Sequence, residues 1–519
     1  MVFIVNYSNI VLKNSLLSVV GQVCNLIISF VNRAVFVIYL DIELLGYQSL
    51  FGNVFVFLSL AELGIGNIIA FHLYKELVNN NIDEIGKLMC LFKWLYRLVA
   101  SIVLVLGGIC YFFLPYFVKN ESVSWNYVCI IYFMQLAAII LGYFLSYKRT
   151  LFIASQQEYK CVTTDVVVSF FVQIIQLICL AVFKNYFLYL SIQLSTTILA
   201  NIIISFRCNK EFPYLKNKYN ITKSYIKSRN LFADMRDILF HKICYAVYGG
   251  TDNIIISIFC GVRSVALYSN YVMIQLGVMS VFFYKLLNPL QATIGNIVYS
   301  DRPKEDLWEQ FKMLDVFSFF FATYIGLGFL IFYQPTISLW LGKEYLLSDI
   351  FVFIFSVNIY LGAVWEIVYK YRTCFGDYKQ DRFCMFLSAV LNIIISIFGA
   401  KYFGIEGIIT GTIFAFLPIA YGRIRFVVRN YFSQSIYRYL VKHFILFLIA
   451  FGEGVFCHSL CKNYSLDVIG MSERVLVWLF VPLFINCLIF LNNPYFRRML
   501  YYFKRFISII SHSLNKRIF

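Results

Sequence analysis

Long apolar runs alternate with short polar joints along the whole chain. Runs such as "IVLVLGGICYFFLPYFV", "VCIIYFMQLAAIILGYFL" and "VLVWLFVPLFINCLIFL" reach the roughly 20 residues that carry a helix across a bilayer, and about 14 of them succeed one another. They lack the period-two alternation of barrel strands. Inside lipid a continuous run must close its own backbone hydrogen bonds, so the pattern predicts helices. The first run follows a short polar start without a small-residue cleavage site and reads as a retained helix.

Composition strengthens this picture. The 519 residues are 61% hydrophobic and 14% charged, a balance foreign to water-soluble domains of this size. Charge adds orientation: of 44 Lys and Arg, about 35 fall in loops on the N-terminal side and about 7 in the opposite loops. The positive-inside rule therefore places both termini in the cytoplasm. The basic segments include "YKRTLFIASQQEYK", "YKYRTCFGDYKQDR" and the tail "FRRMLYYFKRF", while the opposite connections are short. Orientation accounts for most of the net charge of +17, with attraction to anionic headgroups as an addition. No nucleic acid is needed to explain it.

Candidate chemistry is sparse. Most of the 14 cysteines stand singly in apolar helices, where cysteine acts as a small hydrophobe. Cys457 and Cys461, flanking His458, are the pair nearest to a disulfide or metal pattern. "GIGNII" has no preceding strand and lies in an apolar helix, so it is not a dinucleotide fingerprint.

The tetrapeptide "IGNI" occurs at Ile65–Ile68 and again at Ile294–Ile297. Other likenesses keep the same order: "LGYQSL" at Leu45 with "ALYSNY" at Ala266, "FKWL" at Phe92 with "FKML" at Phe311, and "YKRT" at Tyr147 with "KYRT" at Lys370. Together they predict an internal duplication. The expected fold is an all-α polytopic membrane protein of about 14 transmembrane helices, two six-helix lobes in parallel repeat plus two C-terminal helices. The lobes are expected at 1–208 and 239–430, a basic cytoplasmic linker at 209–238, and the extra helices with a basic tail at 431–519.

Polar residues inside the runs recur at three- and four-residue steps. Gln22, Asn25, Ser29 and Asn32/Arg33 form one stripe, Asp165, Ser169, Gln173 and Gln176 another, and Lys242, Tyr245, Gly249 and Asp252/Asn253 a third. Glu62 with Ser59 and Gly66, and Lys285 near Asn288, add to the set. A charge at mid-bilayer costs at least about 2.5 to 3.5 kcal/mol, so these groups should face water or one another. Simpler roles compete. Arg33 could snorkel to the surface, Lys148, Arg149, Lys370 and Arg372 sit where topology alone puts basic residues, and Gly66 and Gly295 permit close packing.

The runs "ELGIGNIIAFHLYKEL", "IDEIGKLMCLFKWLYR", "SYKRTLFIA", "HKICYAVYGGTDNIIISIFCGVRSVALYSNY" and "SLWLGKEYL" resemble those of bacterial Wzx-type polysaccharide flippases. These form a branch of the multidrug, oligosaccharidyl-lipid and polysaccharide exporter superfamily. The resemblance spans nearly the whole chain through diffuse patterns, not a catalytic signature. It implies a non-enzymatic flippase in the bacterial cytoplasmic membrane, carrying undecaprenyl-pyrophosphate-linked oligosaccharide repeat units to the outer leaflet for O-antigen or capsule assembly. Its partners would be that glycan, membrane lipids and other assembly proteins. On this reading Arg33, Lys148, Arg149, Lys242, Lys285 and Arg372 attract pyrophosphate, while Asn25, Asn32, Gln173 and Asn253 meet hydroxyls. No cofactor is expected, and Glu62 or Asp252 would couple transport to protons or sodium. Two competitors are a multidrug antiporter of the same superfamily, which would favour an acidic and aromatic cavity, and a membrane polymerase or glycosyltransferase, which would need a larger external loop.

Overall fold

A computed structural model describes residues 2–62, 65–118, 123–217, 219, 231–298, 302–375 and 380–501. Every regular element among them is helical. In chain order, the helices begin with α1 Val2–Tyr39, α2 Ile42–Ser59, α3 Ile65–Val78, α4 Ile82–Tyr111 and the single turn α5 Leu114–Phe117. They continue with α6 Trp125–Ser146, the short α7 Arg149–Ala154, α8 Glu158–Phe183 and α9 Tyr186–Glu211. Next come α10 Leu231–Gly250, α11 Asp252–Cys260, α12 Val262–Val278, α13 Tyr284–Val298, α14 Lys304–Trp340, α15 Asp349–Val364 and α16 Glu366–Cys374. The last three are α17 Arg382–Ile424, α18 Ile436–Cys461 and α19 Val468–Phe490.

Short polar residues fix where the helices start. Asp41, Asn81, Asn185, Ser348, Ser435 and Asp467 each accept a bond from a backbone N–H two or three residues on, satisfying donors the helix leaves open at its first turn. Glycine fixes two of the ends. Gly261 and Gly342 have φ of 86° and 120°, a region that side-chain-bearing residues rarely enter.

Twelve helical stretches among the described residues are long and apolar enough to cross a membrane. One of these, Arg382–Tyr431, contains two crossings. At Gly404 the backbone turns to φ 61° and ψ −136°, and the halves of α17 then pack against each other. Ser396 Oγ donates to the Ile408 carbonyl at 3.3 Å, and Asn392 Nδ2 to Thr412 Oγ1 at 3.2 Å. Helices α12 and α13, joined by a π-helical turn at Met279–Phe283, supply a further long helical stretch. With these two features the architecture agrees with the expected number of crossings.

Two compact units divide the chain, Met1–Val281 and Phe282–Phe519. In the first, α1 packs along α8. A Cβ at Gly21 would lie 2.3 Å from Val166 Cγ1, and one at Gly46 of α2 would lie 2.2 Å from the Val262 carbonyl oxygen of α12. Both approaches require the missing side chain. In the second unit α14 is the central helix. Ser318 Oγ donates to the Ala363 and Val364 carbonyls of α15, and Trp478 Nε1 of α19 donates to the Tyr324 carbonyl at 2.8 Å.

The two copies of "IGNI" take different places. Ile65 opens α3, whereas Ile294–Ile297 closes α13. Repetition of the letters is therefore not repetition of depth along a helix.

Candidate functional site

A cavity of about 770 Å³ opens inside the first unit between α2, α6, α8 and α9. Its polar lining includes Gln48, Gln135, Arg149, Asp165, Gln193 and Asn201. Arg149 enters it because α6 stops at Ser146 and α7 restarts the chain as a short helix. The guanidinium grips Asp165 of α8 with both terminal nitrogens at 2.7 Å, and its Nε reaches Asn201 Oδ1 of α9 at 2.5 Å. Such a two-point grip fixes the plane of the guanidinium. Gln48 and Gln193 bond at 2.7 Å. Lys148, next in sequence, turns away to Ser205 Oγ and Asn209 Oδ1, both at 2.7 Å. Burial pushes its ammonium below the ordinary lysine range because the charged form loses water.

The second unit repeats this arrangement at Arg372. Its guanidinium donates to Asp381 Oδ2 at 3.0 Å through Nε, and a second bond joins the same pair through Nη2. Arg423 lies 3.7 Å from the same carboxylate and stacks over Tyr369. Lys370 pairs with Glu366 at 3.3 Å. "YKRT" and "KYRT" thus supply, in each unit, an arginine held by an aspartate further along the chain.

The polar stripe on α1 splits between two neighbours. Asn25 Nδ2 donates to the Val166 carbonyl at 3.1 Å, Ser29 Oγ to Gln173 Oε1 at 3.0 Å, and Asn32 Nδ2 to the Gln173 carbonyl at 3.0 Å. These groups, with Gln173, join α1 to α8. Arg33 faces elsewhere. Its Nη1 lies 3.3 Å from Ser269 Oγ of α12, and the neutral phenol of Tyr189 on α9 is near it.

The two expected coupling carboxylates each bond a tyrosine. Glu62 lies in a 3₁₀ turn between α2 and α3 and accepts from Tyr96 of α4. Gly66 packs beside that pair, where a Cβ would make ordinary contact at 3.4 Å from Tyr96 Oη and 3.7 Å from Glu62 Oε1. Asp252 is buried at the start of α11, where span seven breaks, and bonds the Tyr268 hydroxyl. Its neighbour Asn253 donates to the Ser49 carbonyl at 3.4 Å. Lys242 is exposed on α10. The side chain of Lys285 lies outside the described residues.

Sequence reading missed the charged centre of the second unit. Asp315 of α14 is 2% exposed and accepts from Tyr439 Oη and Lys442 Nζ of α18, both at 2.6 Å, with His443 Nε2 at 3.1 Å. Trp365 closes over the imidazole at 4.5 Å. The available signal was the spacing of Tyr439, Lys442 and His443, which puts all three on one face of an otherwise apolar helix. Glu453 was missed as well; it is buried on α18 and accepts from Asn486 Nδ2 of α19 at 3.1 Å.

Comparison with known proteins decides the family. The family model described as "Polysaccharide biosynthesis protein" matches residues 11–287, more than half of the chain. The chain belongs to this family. Among solved structures it is similar to the lipid II flippase MurJ in an inward closed conformation, at 14% identity and TM-score 0.66, over 92% of this chain and 99% of that one. It is also similar to an inward-facing multidrug resistance MATE family transporter of the MOP superfamily, at 12% identity and TM-score 0.57, over 78% and 94% of the two chains. A mutant of the Vibrio cholerae MATE transporter VcmN matches at 14% identity and TM-score 0.53, over 82% and 98%. No match is found among curated proteins. This member of the polysaccharide biosynthesis family therefore has the fold of the MOP transporters. In it, the cavity around Arg149 lies within the stretch that the family model covers.

Proposed function

We propose that this family member is a flippase. It carries an undecaprenyl-pyrophosphate-linked oligosaccharide from the inner to the outer leaflet of the bacterial cytoplasmic membrane by alternating access, with both termini in the cytoplasm. The observation that carries this reading is the polar cavity in a bundle of apolar helices, with an arginine held in place at its edge. A sugar needs hydroxyl partners, which Gln48, Gln135, Gln193 and Asn201 offer; a pyrophosphate needs cations, which Arg149, Arg33 and the exposed Lys242 offer. The polyprenyl chain stays in lipid, so no covalent step is required. Family membership and the likeness to flippase and transporter folds support the same direction. Coupling falls to Glu62 and Asp252, whose tyrosine partners can bond either the carboxylate or the acid.

The test is reconstitution of the purified protein in liposomes with a polyprenyl-pyrophosphate glycan on one leaflet. Translocation above that of protein-free liposomes supports the proposal. Exchange of a cationic drug for protons, without movement of the glycan, would replace it with the antiporter reading.

A further inference from the structure

Glu453 has no ion-pair partner among the described residues. It lies on α18 between its two ends, 3% exposed, and Asn486 is its hydrogen-bond partner. Its Oε1 has no partner among the described residues, and neither has Oδ1 of Asn486, which is fully buried. Two acceptor oxygens thus sit in an apolar seam without a donor. Asp315 is the instructive contrast, because Lys442, His443 and Tyr439 satisfy it completely. The titratable groups facing Glu453 are Tyr324 from α14, Tyr360 from α15 and Cys457 one turn along its own helix. None of them is a cation. Tyr324 spends its hydroxyl on the Leu479 carbonyl at 3.2 Å.

A carboxylate buried in a membrane helix without a counter-charge is unfavourable, and one bound proton removes both the charge and the missing donor. A mainly apolar cavity of about 40 Å³ lies along the same helix, with Gly454, Ala450, Tyr360 and Ser356 in its wall, and Glu453 itself does not line it. The Ser356 hydroxyl on its wall also has no partner among the described residues. A hard metal cation would gather about six oxygens, which Glu453 and Asn486 cannot supply. We infer that Glu453 with Asn486 is a proton-binding site carried by the two C-terminal helices, distinct from Glu62 and Asp252. The step is a simple one: Glu453 Oε1 takes up a proton from water, and the carboxylate becomes the neutral acid.

Infrared spectroscopy of the full chain in lipid vesicles tests this without any transport substrate. At neutral pH the wild type should show the carbonyl stretch of a protonated carboxylic acid, shifted by deuterium exchange, and Glu453→Gln should lose that band. Asn486→Leu should move the band without abolishing it, which provides a second reading should Glu453→Gln fail to insert. A tenfold rise in sodium at constant pH should leave it in place. The inference is overturned if the wild type lacks the band, if Glu453→Gln keeps it, if Asn486→Leu leaves it unmoved, or if sodium removes it.

Discussion

Asn32 and Arg33 are adjacent in sequence yet serve different neighbours, Asn32 binding α8 and Arg33 reaching α12. Only the second has charge to offer a pyrophosphate. At roughly 4 Å and an effective dielectric near 20 such a pair is worth up to about 4 kcal/mol before desolvation, and a third of that is about tenfold. Arg33→Ala should therefore lower glycan translocation about tenfold in proteoliposomes at equal membrane insertion, with Arg33→Lys recovering part; unchanged rates in both would remove Arg33 from the substrate path. Lys148 gives a pH test. Its ammonium is held below the ordinary lysine range by burial, so its charge is present at low pH and is lost, as pH rises, earlier than for a free lysine. If that charge assists transport, the alkaline fall in rate should move to higher pH in Lys148→Arg, which remains charged. Residue type and helical face were legible from spacing alone, as Asn25, Ser29 and Asn32 show. Partners were not. The bond from Arg149 to Asp165 bridges different helices, and no local pattern encodes which helix a stripe will meet.

At the scale of elements, the apolar runs were legible because lipid demands whole helices, and the polar caps marked their starts. The turn inside α17 was harder to see: one glycine, Gly404, replaces a loop. Close packing beside it depends on Gly399 and Gly407, where a Cβ on Gly407 would lie 2.1 Å from the Gly399 carbonyl oxygen. Gly407→Val should destabilise the protein by about 1 to 3 kcal/mol, read as a lower thermal midpoint in detergent. Gly108→Ala, with nothing within 4 Å of the added carbon, should stay within about 0.5 kcal/mol. The docking of α18 on α14 rests on a different kind of contact. Asp315→Asn leaves Lys442 and His443 without their carboxylate, and loss of one partner from a buried ion network costs about 3 to 5 kcal/mol. The expected result is faster proteolysis of α18 and α19 in the folded protein; wild-type resistance would show that apolar packing alone holds them.

At the scale of the whole molecule, the distribution of charge carries a prediction of its own. Basic loops on one side predict that a reporter after Lys343 reads external and one after Asn515 reads cytoplasmic; the opposite pattern would invert the orientation proposed above. Asn515 itself lies outside the described residues. Of the short likenesses from which a duplication is expected, "YKRT" and "KYRT" each put an arginine on an aspartate of the same unit, whereas the two copies of "IGNI" take different places on their helices. Single-residue turns at Gly261 and Gly404 have a mechanical consequence. Consecutive Cα atoms are 3.8 Å apart, so one intervening residue keeps the facing ends of two helices within roughly 8 Å. Helices α11 and α12 are tethered in this way, as are the two halves of α17. Neither pair can separate at its tethered end, so any opening between its two helices has to come from a change of angle about that glycine.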